Sequence, residues 1–238
     1  MNTLDNLNAA LADARQNYID KRPASLAEFD NATRFMPGGN TRTVLFYEPF
    51  PLRAARGEGA ELIDVDGHRY INLLGEYTAG LFGHTHPVIR AALERALDGG
   101  VNLGAHNVHE SQLAELVCAR FPSMERVRFT NSGTEANLMA ISSARVHTGR
   151  EKVLVFDGGY HGGLLYFAHG GVPINAPFPY LLGEYNAIEA TRTLIRSNAD
   201  SLACVLVEPL LGAAGCIPGD AGFLGMHHHS GTIAGHLF

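Results

Sequence analysis

The segment Phe129-Thr130-Asn131-Ser132-Gly133-Thr134-Glu135-Ala136-Asn137 constrains this chain more than any other stretch. Ahead of it, Val127-Arg128-Phe129-Thr130 alternates apolar and polar residues as a short strand does. Beyond it, Ala136, Met139, Ala140 and Ala144 recur at helical spacing. Ser132 is a good N-cap, and Glu135 three residues on completes an S-x-x-E capping box. The spacing therefore predicts a helix that starts here, with Gly133 letting the backbone approach a ligand closely. A helix start presents unpaired N–H groups and the positive end of the dipole, and with the Ser132 and Thr134 hydroxyls these make a cradle for a phosphate group. Plain helix initiation after a strand is the alternative reading of the same residues.

Composition narrows the setting. A chain of 238 residues with 46% hydrophobic content can bury the core of one or two domains. A net charge of −6 with no basic stripe argues against nucleic acid as a partner. The amino terminus lacks the basic start and unbroken apolar run of a signal peptide, and no segment is apolar over the length a membrane span needs. Cys118, Cys204 and Cys216 are scattered without metal-type spacing, as in a reduced cytoplasmic protein.

Along the chain, Leu4, Leu7, Leu11, Ala14 and Tyr18 form one helical stripe that Pro23 breaks, and Ser25 with Glu28 offers a second capping box. Residues 41–47 read as extended. Within them Arg42 is either a surface residue or a guanidinium able to hold a carboxylate through two parallel hydrogen bonds. Asp66-Gly67, flanked by residues 61–65 and 68–72, marks a tight hairpin. His84 and His86 have no carboxylate partner in their motif and read as structural, so no metal is assigned. Pro87 opens a helix carrying Ile89, Ala92, Leu93, Ala96 and Leu97 to Gly99-Gly100. A further helix runs from about Glu110 to Arg120 with Leu113, Leu116 and Val117 inward.

After the central turn the pattern becomes strand, loop, helix, strand. Lys152-Val153-Leu154-Val155-Phe156 is a near-continuous apolar run, as in a strand covered on both faces. Asp157-Gly158-Gly159-Tyr160-His161-Gly162-Gly163 lies at its end, where open α/β sheets place their ligands. A helix carrying Ala187, Ile188, Leu194 and Ile195 leads to Leu202-Ala203-Cys204-Val205-Leu206-Val207-Glu208-Pro209, a second buried strand ending in an acid.

Asn131 to Asn137 closely resembles the phosphate-binding turn of the class III pyridoxal-phosphate aminotransferases, and further motifs of that family follow in order. Residues 158–163 resemble its Gly-Tyr-His-Gly motif, whose aromatic ring stacks on the cofactor's pyridine ring. Glu208-Pro209 resembles a pair near the cofactor, and residues 76–87 resemble the glycine-rich segment that shapes the substrate pocket and the dimer contact. The resemblance implies an α/β protein of fold type I: an N-terminal arm and hairpin segment over residues 1–75, part of the large domain with a mostly parallel sheet over 76–224, and an atypical tail over 225–238. It implies pyridoxal 5'-phosphate as cofactor, held by Ser132, Gly133, Thr134, Tyr160, His161 and Glu208, with Arg42 and Tyr77 facing the substrate. The implied reaction moves an amino group from an amino acid to a 2-oxo acid in a homodimer. Residues 44–51, 76–80 and 158–163 look most like the branch acting on aromatic β-amino acids; the alternative is the glutamate-1-semialdehyde aminomutase type.

The resemblance covers residues 1 to about 224, roughly the first half of a family chain. Pyridoxal-phosphate enzymes need a lysine amine for the Schiff base and an acid beside the pyridine nitrogen, and in this family both lie downstream. Lys21 and Lys152 are the only lysines here and neither suits that role, so no catalytic residue is assigned and the chain alone is expected to be inactive. From a different class, it reads as a non-catalytic remnant that binds a phosphate or a partner subunit. A partial sheet would leave an edge and a helical face uncovered. The ending from Gly225, with His227-His228-His229 and then Ser230-Gly231-Thr232, reads as a flexible and unrelated tail without the fixed geometry of a metal site.

Overall fold

Pro23 splits the amino-terminal segment into two helices, α1 (Thr3–Asp20) and α2 (Pro23–Thr33), in the computed structural model, which describes residues 3–229. Proline has no N–H to leave orphaned and its φ is preset, so it takes the first helical position. That start overturns the capping box expected of Ser25 and Glu28, because Ser25 already lies inside the helix. The cap comes instead from 41 residues away: Asp66 accepts hydrogen bonds from Ala24 N (2.7 Å), Ser25 N (2.9 Å) and Ser25 Oγ (2.6 Å).

Asp66 can do this because it sits in the turn of a three-stranded antiparallel meander, β1 (Ala54–Glu58), β2 (Glu61–Asp64) and β3 (Arg69–Ile71). The expected hairpin is present, with Gly67 at φ +89°. The first strand has no sequence signal, since Ala-Ala-Arg-Gly-Glu lacks β-branched and aromatic residues; it forms because β2 offers it a ladder. Beneath the turn, buried Asp64 accepts from Tyr70 Oη (2.7 Å), His68 N (2.8 Å) and Asp66 N (3.0 Å), and pairs with His68 Nδ1 at 3.0 Å. Arg22 Nε donates to Tyr70 Oη (3.0 Å) while its guanidinium lies 4.1 Å from the Tyr18 ring centre. Burial alone would raise the Asp64 carboxyl, yet the Tyr70 and His68 donors outweigh it and hold it below the usual range. Asp66 is likewise lowered, its bonds from Ser25 and Ala24 overcoming burial. Residues 41–47 are not extended throughout: a 3-10 turn, Thr43–Leu45, closes through Leu45 N to Arg42 O at 2.9 Å.

The chain divides into two compact units, residues 1–106 and 107–238. The first ends with α3 (Pro87–Asp98), which starts at Pro87 and stops at Gly99 as its sequence indicates. The second opens with α4 (Val108–Arg120), two residues earlier than expected, because the Asn107 side chain caps it by accepting from His109 N and Glu110 N. Leu113 and Leu116, expected inward, are 50% and 68% exposed.

The second unit is built on β4 (Lys152–Phe156), which follows α5 (Gly133–Thr148) and runs parallel to both β5 (Tyr180–Gly183) and β6 (Leu202–Val205) in the order β5-β4-β6. Its side chains alternate between two cores. Val153 and Val155 join Ile141, Leu165, Phe167, Cys204 and Leu206 on the face that α5 covers. Leu154 and Phe156 join Leu202, Val205 and Phe223 on the face covered by α6 (Ile188–Ser197) and α7 (Ala221–His229). A short antiparallel pair, β7 (Leu210–Leu211) and β8 (Ile217–Pro218), lies between β6 and α7 in sequence.

Three further expectations change. Residues 127–130 are not a strand: alternation is present, but no ladder partner faces them among the described residues, and a strand needs one. The inner face of α5 is carried by Asn137 and Ile141, while Ala136, Met139 and Ala140 are exposed, because alanines suit either face of a helix and blur the periodicity. Residues 225–229 belong to α7 rather than to a flexible tail. Ser230-Gly231-Thr232 and the rest of the ending lie outside the described residues. Among the described residues, no helix is long and apolar enough to cross a membrane and no group of His, Cys, Asp and Glu is arranged to hold a metal.

The lowered pKa values of Asp64 and Asp66 fix a pH response. Both are held below the unfolded value of about 3.9, so they stabilise the fold above that pH and the contribution is lost as pH falls through the folded values. Urea unfolding followed by circular dichroism is expected to show stability dropping below about pH 4. Asp66→Ala is expected to cost about 1–2 kcal/mol at pH 7, the loss typical of an N-cap, and to flatten that acid-side fall.

Candidate active site

The helix start at Gly133 forms as its sequence demands and leaves donors facing outward. Ser132 Oγ accepts from Glu135 N at 3.2 Å. Glu135 reaches back one residue further than the usual box, its Oε2 accepting from Asn131 N (2.8 Å) and Asn131 Nδ2 (3.0 Å). The first intrahelical bond runs from Ala136 N to Ser132 O (3.0 Å), so the Gly133 and Thr134 amides lie ahead of the ladder. Both hydroxyls are occupied as acceptors, Ser132 Oγ by Glu135 N and Thr134 Oγ1 by Gly163 N at 3.1 Å. Each therefore keeps its own proton to give. Two amides, two hydroxyl protons and a helix dipole are donors of the kind an anion is held by.

The glycine loop after β4 is bolted to that helix start. Besides the bond from Gly163 N to Thr134 Oγ1, Asn137 Nδ2 donates to His161 O at 2.8 Å. Gly162 takes φ +120° and presses so closely on Thr134 that a β-carbon there would collide with its side chain. Within the loop, His161 N bonds Leu165 O (2.8 Å), Phe167 N bonds Gly159 O (2.8 Å), and Tyr160 pairs with Tyr166 in an isolated antiparallel bridge. Tyr160 stands 38% exposed, its ring T-shaped to that of Tyr166 with centroids 5.4 Å apart.

Glu208 holds the loop from the other side. It follows β6 and is 8% exposed; its Oε1 accepts from Tyr160 N (2.7 Å) and its Oε2 from Gly212 N (3.3 Å). Burial pushes its carboxyl above the ordinary value, and the two backbone donors oppose that only in part. Three pieces of chain distant in sequence thus converge at the carboxyl end of the parallel sheet, where such folds place ligands.

Ser132, Gly133, Thr134, Tyr160, His161 and Glu208 all lie in the second unit, around the α5 start and the loop after β4. His161 does so from within: its side chain is buried beside Phe167, and it joins the cradle through its backbone. Asn137 escaped the sequence reading, although an amide on the inner face of an otherwise small and apolar helix is a usable signal. Lys152 sits at the opposite end of β4, its Nζ donating to Asn198 Oδ1 at 2.8 Å.

Arg42 and Tyr77 belong to the first unit. Arg42 precedes the 3-10 turn, is exposed, and its guanidinium makes no ion pair among the described residues. Tyr77, half exposed, lies in the turn Gly75–Thr78, where Gly75, Glu76, Tyr77 and Thr78 all take positive φ (+53°, +49°, +54°, +78°). Left-handed backbone costs a non-glycine residue about 1–2 kcal/mol, so three in succession need a local restraint.

The architecture is that of the fold type I pyridoxal-phosphate transferases. A β-phenylalanine aminotransferase from Variovorax paradoxus superposes with a TM-score of 0.90 at 52% identity, over 94% of this chain and 52% of that one. A transaminase solved with PLP bound gives 0.81 at 32% identity, over 88% of this chain and 52% of that one. The sequence pattern of the family described as aminotransferase class-III matches residues 46–229, which carries the match past residue 224 into the histidine run. This chain belongs to the class III aminotransferases. In sequence it is 52% identical to the β-phenylalanine transaminase of V. paradoxus over 231 residues, 97% of this chain and 53% of that protein. It is 39% identical to a glutamate-1-semialdehyde 2,1-aminomutase of Methanosphaera stadtmanae over 209 residues, 82% of this chain and 49% of that protein. The chain spans about half the length of the curated relatives it matches.

Two glycines separate docking from mere flexibility. Gly162→Ala is expected to cost about 1–3 kcal/mol, the range for a forced backbone conformation. Gly163→Ala, where a β-carbon meets open space, is expected to be near neutral. Thermal unfolding of the two variants side by side checks this.

Proposed function

We propose that this chain supplies the cofactor cradle of an aminotransferase that passes the amino group of an aromatic β-amino acid to a 2-oxo acid, with pyridoxal 5'-phosphate as cofactor. The observation that carries the reading is the joint between the α5 start and the Tyr160 loop, which holds helix-start donors and an aromatic side chain in one rigid piece. The residues present fit the group: a dianionic phosphate meets two amides and two hydroxyl protons, and a flat pyridine ring meets a flat phenol ring. When bound, the cofactor supplies an electrophilic carbon and an electron-withdrawing ring.

The chain's own residues bind and orient. Gly133, Thr134 and Ser132 hold the phosphate. Tyr160 lies against the ring, its backbone fixed by Glu208 and its loop supported from beneath by His161. Arg42 takes the substrate carboxylate through a bidentate pair, and Tyr77 flanks the substrate's side chain. The aromatic β-amino acid is favoured over a glutamate-1-semialdehyde substrate by the 52% identity to the β-phenylalanine transaminase against 39% to the aminomutase. The protein works as a cytoplasmic homodimer in this reading, supported by three free thiols and by the exposed apolar residues Leu81, Phe82, Leu93, Leu97, Leu113 and Leu116.

Titration of the chain with pyridoxal phosphate, read in the cofactor's absorption band, is expected to show binding that inorganic phosphate competes away. The double variant Ser132→Ala with Thr134→Ala is expected to weaken it about tenfold to a hundredfold, the loss of two net hydrogen bonds of about 1 kcal/mol each. After borohydride reduction, no adduct is expected on Lys152. Binding indifferent to phosphate would overturn the cradle. In the active enzyme, failure to form a β-keto acid from an aromatic β-amino acid would overturn the substrate.

A further inference from the structure

The left-handed turn Gly75–Thr78 is held by a small polar lock whose members are all in the first unit. Asn72 is the hub: its Oδ1 accepts from Leu74 N (3.2 Å) and Gly75 N (3.1 Å), its Nδ2 donates to Glu76 Oε1 (2.5 Å), and the same Nδ2 lies 3.1 Å from His84 Nε2. Glu76 Oε1 also lies 3.8 Å from His84 Nε2, so the amide, the carboxylate and the imidazole meet at one point. His84 is itself fixed to the meander, its backbone N donating to Gly59 O at 3.0 Å and its ring pressed against Gly57, where a β-carbon would collide with it. At the far end, Gly80 N bonds Gly75 O at 3.1 Å, and a β-carbon on Gly80 would collide with the Glu76 carboxylate. The carboxylate thus fills the inside of the turn and ties it to Asn72, while the Tyr77 side chain makes no hydrogen bond of its own among the described residues.

We propose that Glu76 is the positioning residue for Tyr77: locked by Asn72 and His84, its carboxylate holds the left-handed turn that presents the Tyr77 ring to the substrate, and so sets the preference for amino donors with an aromatic side chain. The proposal rests on the reading that Tyr77 meets the substrate. Tyr77 has no polar anchor, so its direction follows from the backbone, and the backbone follows from Glu76.

Two variants and two readouts test it. Hydrogen exchange of the 238-residue chain is expected to quicken about tenfold at Leu74, Gly75, Tyr77 and Gly80 in Glu76→Ala, with β2 unchanged. Glu76→Gln, which keeps an oxygen for Asn72, is expected to match the unmodified chain. In the active enzyme, Glu76→Ala is expected to raise KM for an aromatic β-amino acid about tenfold, with kcat within about twofold and KM for an aliphatic β-amino acid unchanged; Glu76→Gln restores the aromatic KM. Unaltered exchange in Glu76→Ala overturns the lock. Altered exchange with an unaltered aromatic KM, or a loss equal for aromatic and aliphatic donors, overturns the positioning role. Failure of the unmodified enzyme to use any aromatic β-amino acid overturns the substrate reading instead, and the exchange comparison still decides whether Glu76 holds the turn.

Discussion

The second unit depends on β4 being apolar on both sides. Val153 and Val155 face one core and Leu154 and Phe156 the other, so the strand is fixed between α5 on one face and α6 with α7 on the opposite one. A strand held this way brings its carboxyl end, and the glycine loop that follows, to a fixed place beside the start of α5. Each fully buried side chain of this size contributes about 1.5–3 kcal/mol, which gives the loop a rigid base and lets glycine-rich sequence be ordered rather than loose.

On that base, polar contacts give the loop its shape. Asn137, Thr134 and Glu208 each bond a backbone atom of residues 160–163. Bonding the backbone leaves the Tyr160 ring and the hydroxyl protons of Ser132 and Thr134 unspent. The same logic explains a buried acid with a raised pKa at Glu208: the desolvation that costs energy also makes its bond to Tyr160 N strong and directional. The loop's structure and the proposed binding surface thus draw on the same residues with different atoms.

The first unit uses carboxylates in place of a large apolar core. Asp64 gathers donors from β3 and the turn before it, Asp66 caps α2 from the same turn, and Glu76 fills the left-handed turn beyond the meander. Each converts a piece of backbone with orphaned or strained groups into a fixed one. Arg42 and Tyr77 are presented by loops of this unit, which are shaped by local bonds more than by burial.

What the sequence by itself determined is what acts within a few residues. Ser132 and Glu135 cap a helix wherever it is placed, Pro23 and Pro87 start helices because their φ is preset, Asp66-Gly67 turns the chain, and the four consecutive apolar residues from Val153 to Phe156 announce a covered strand. The proposed cradle was legible for the same reason, since its donors are local to one helix start and one loop. Only the tertiary structure decided that Asp66 rather than Ser25 caps α2, that Asn137 faces His161 O, that residues 127–130 find no ladder, and that Gly75–Thr78 winds left-handed. Each of these depends on a partner group brought close by the folding of other elements, or on that partner's absence among the described residues, and no periodicity or cap in the local sequence carries such information.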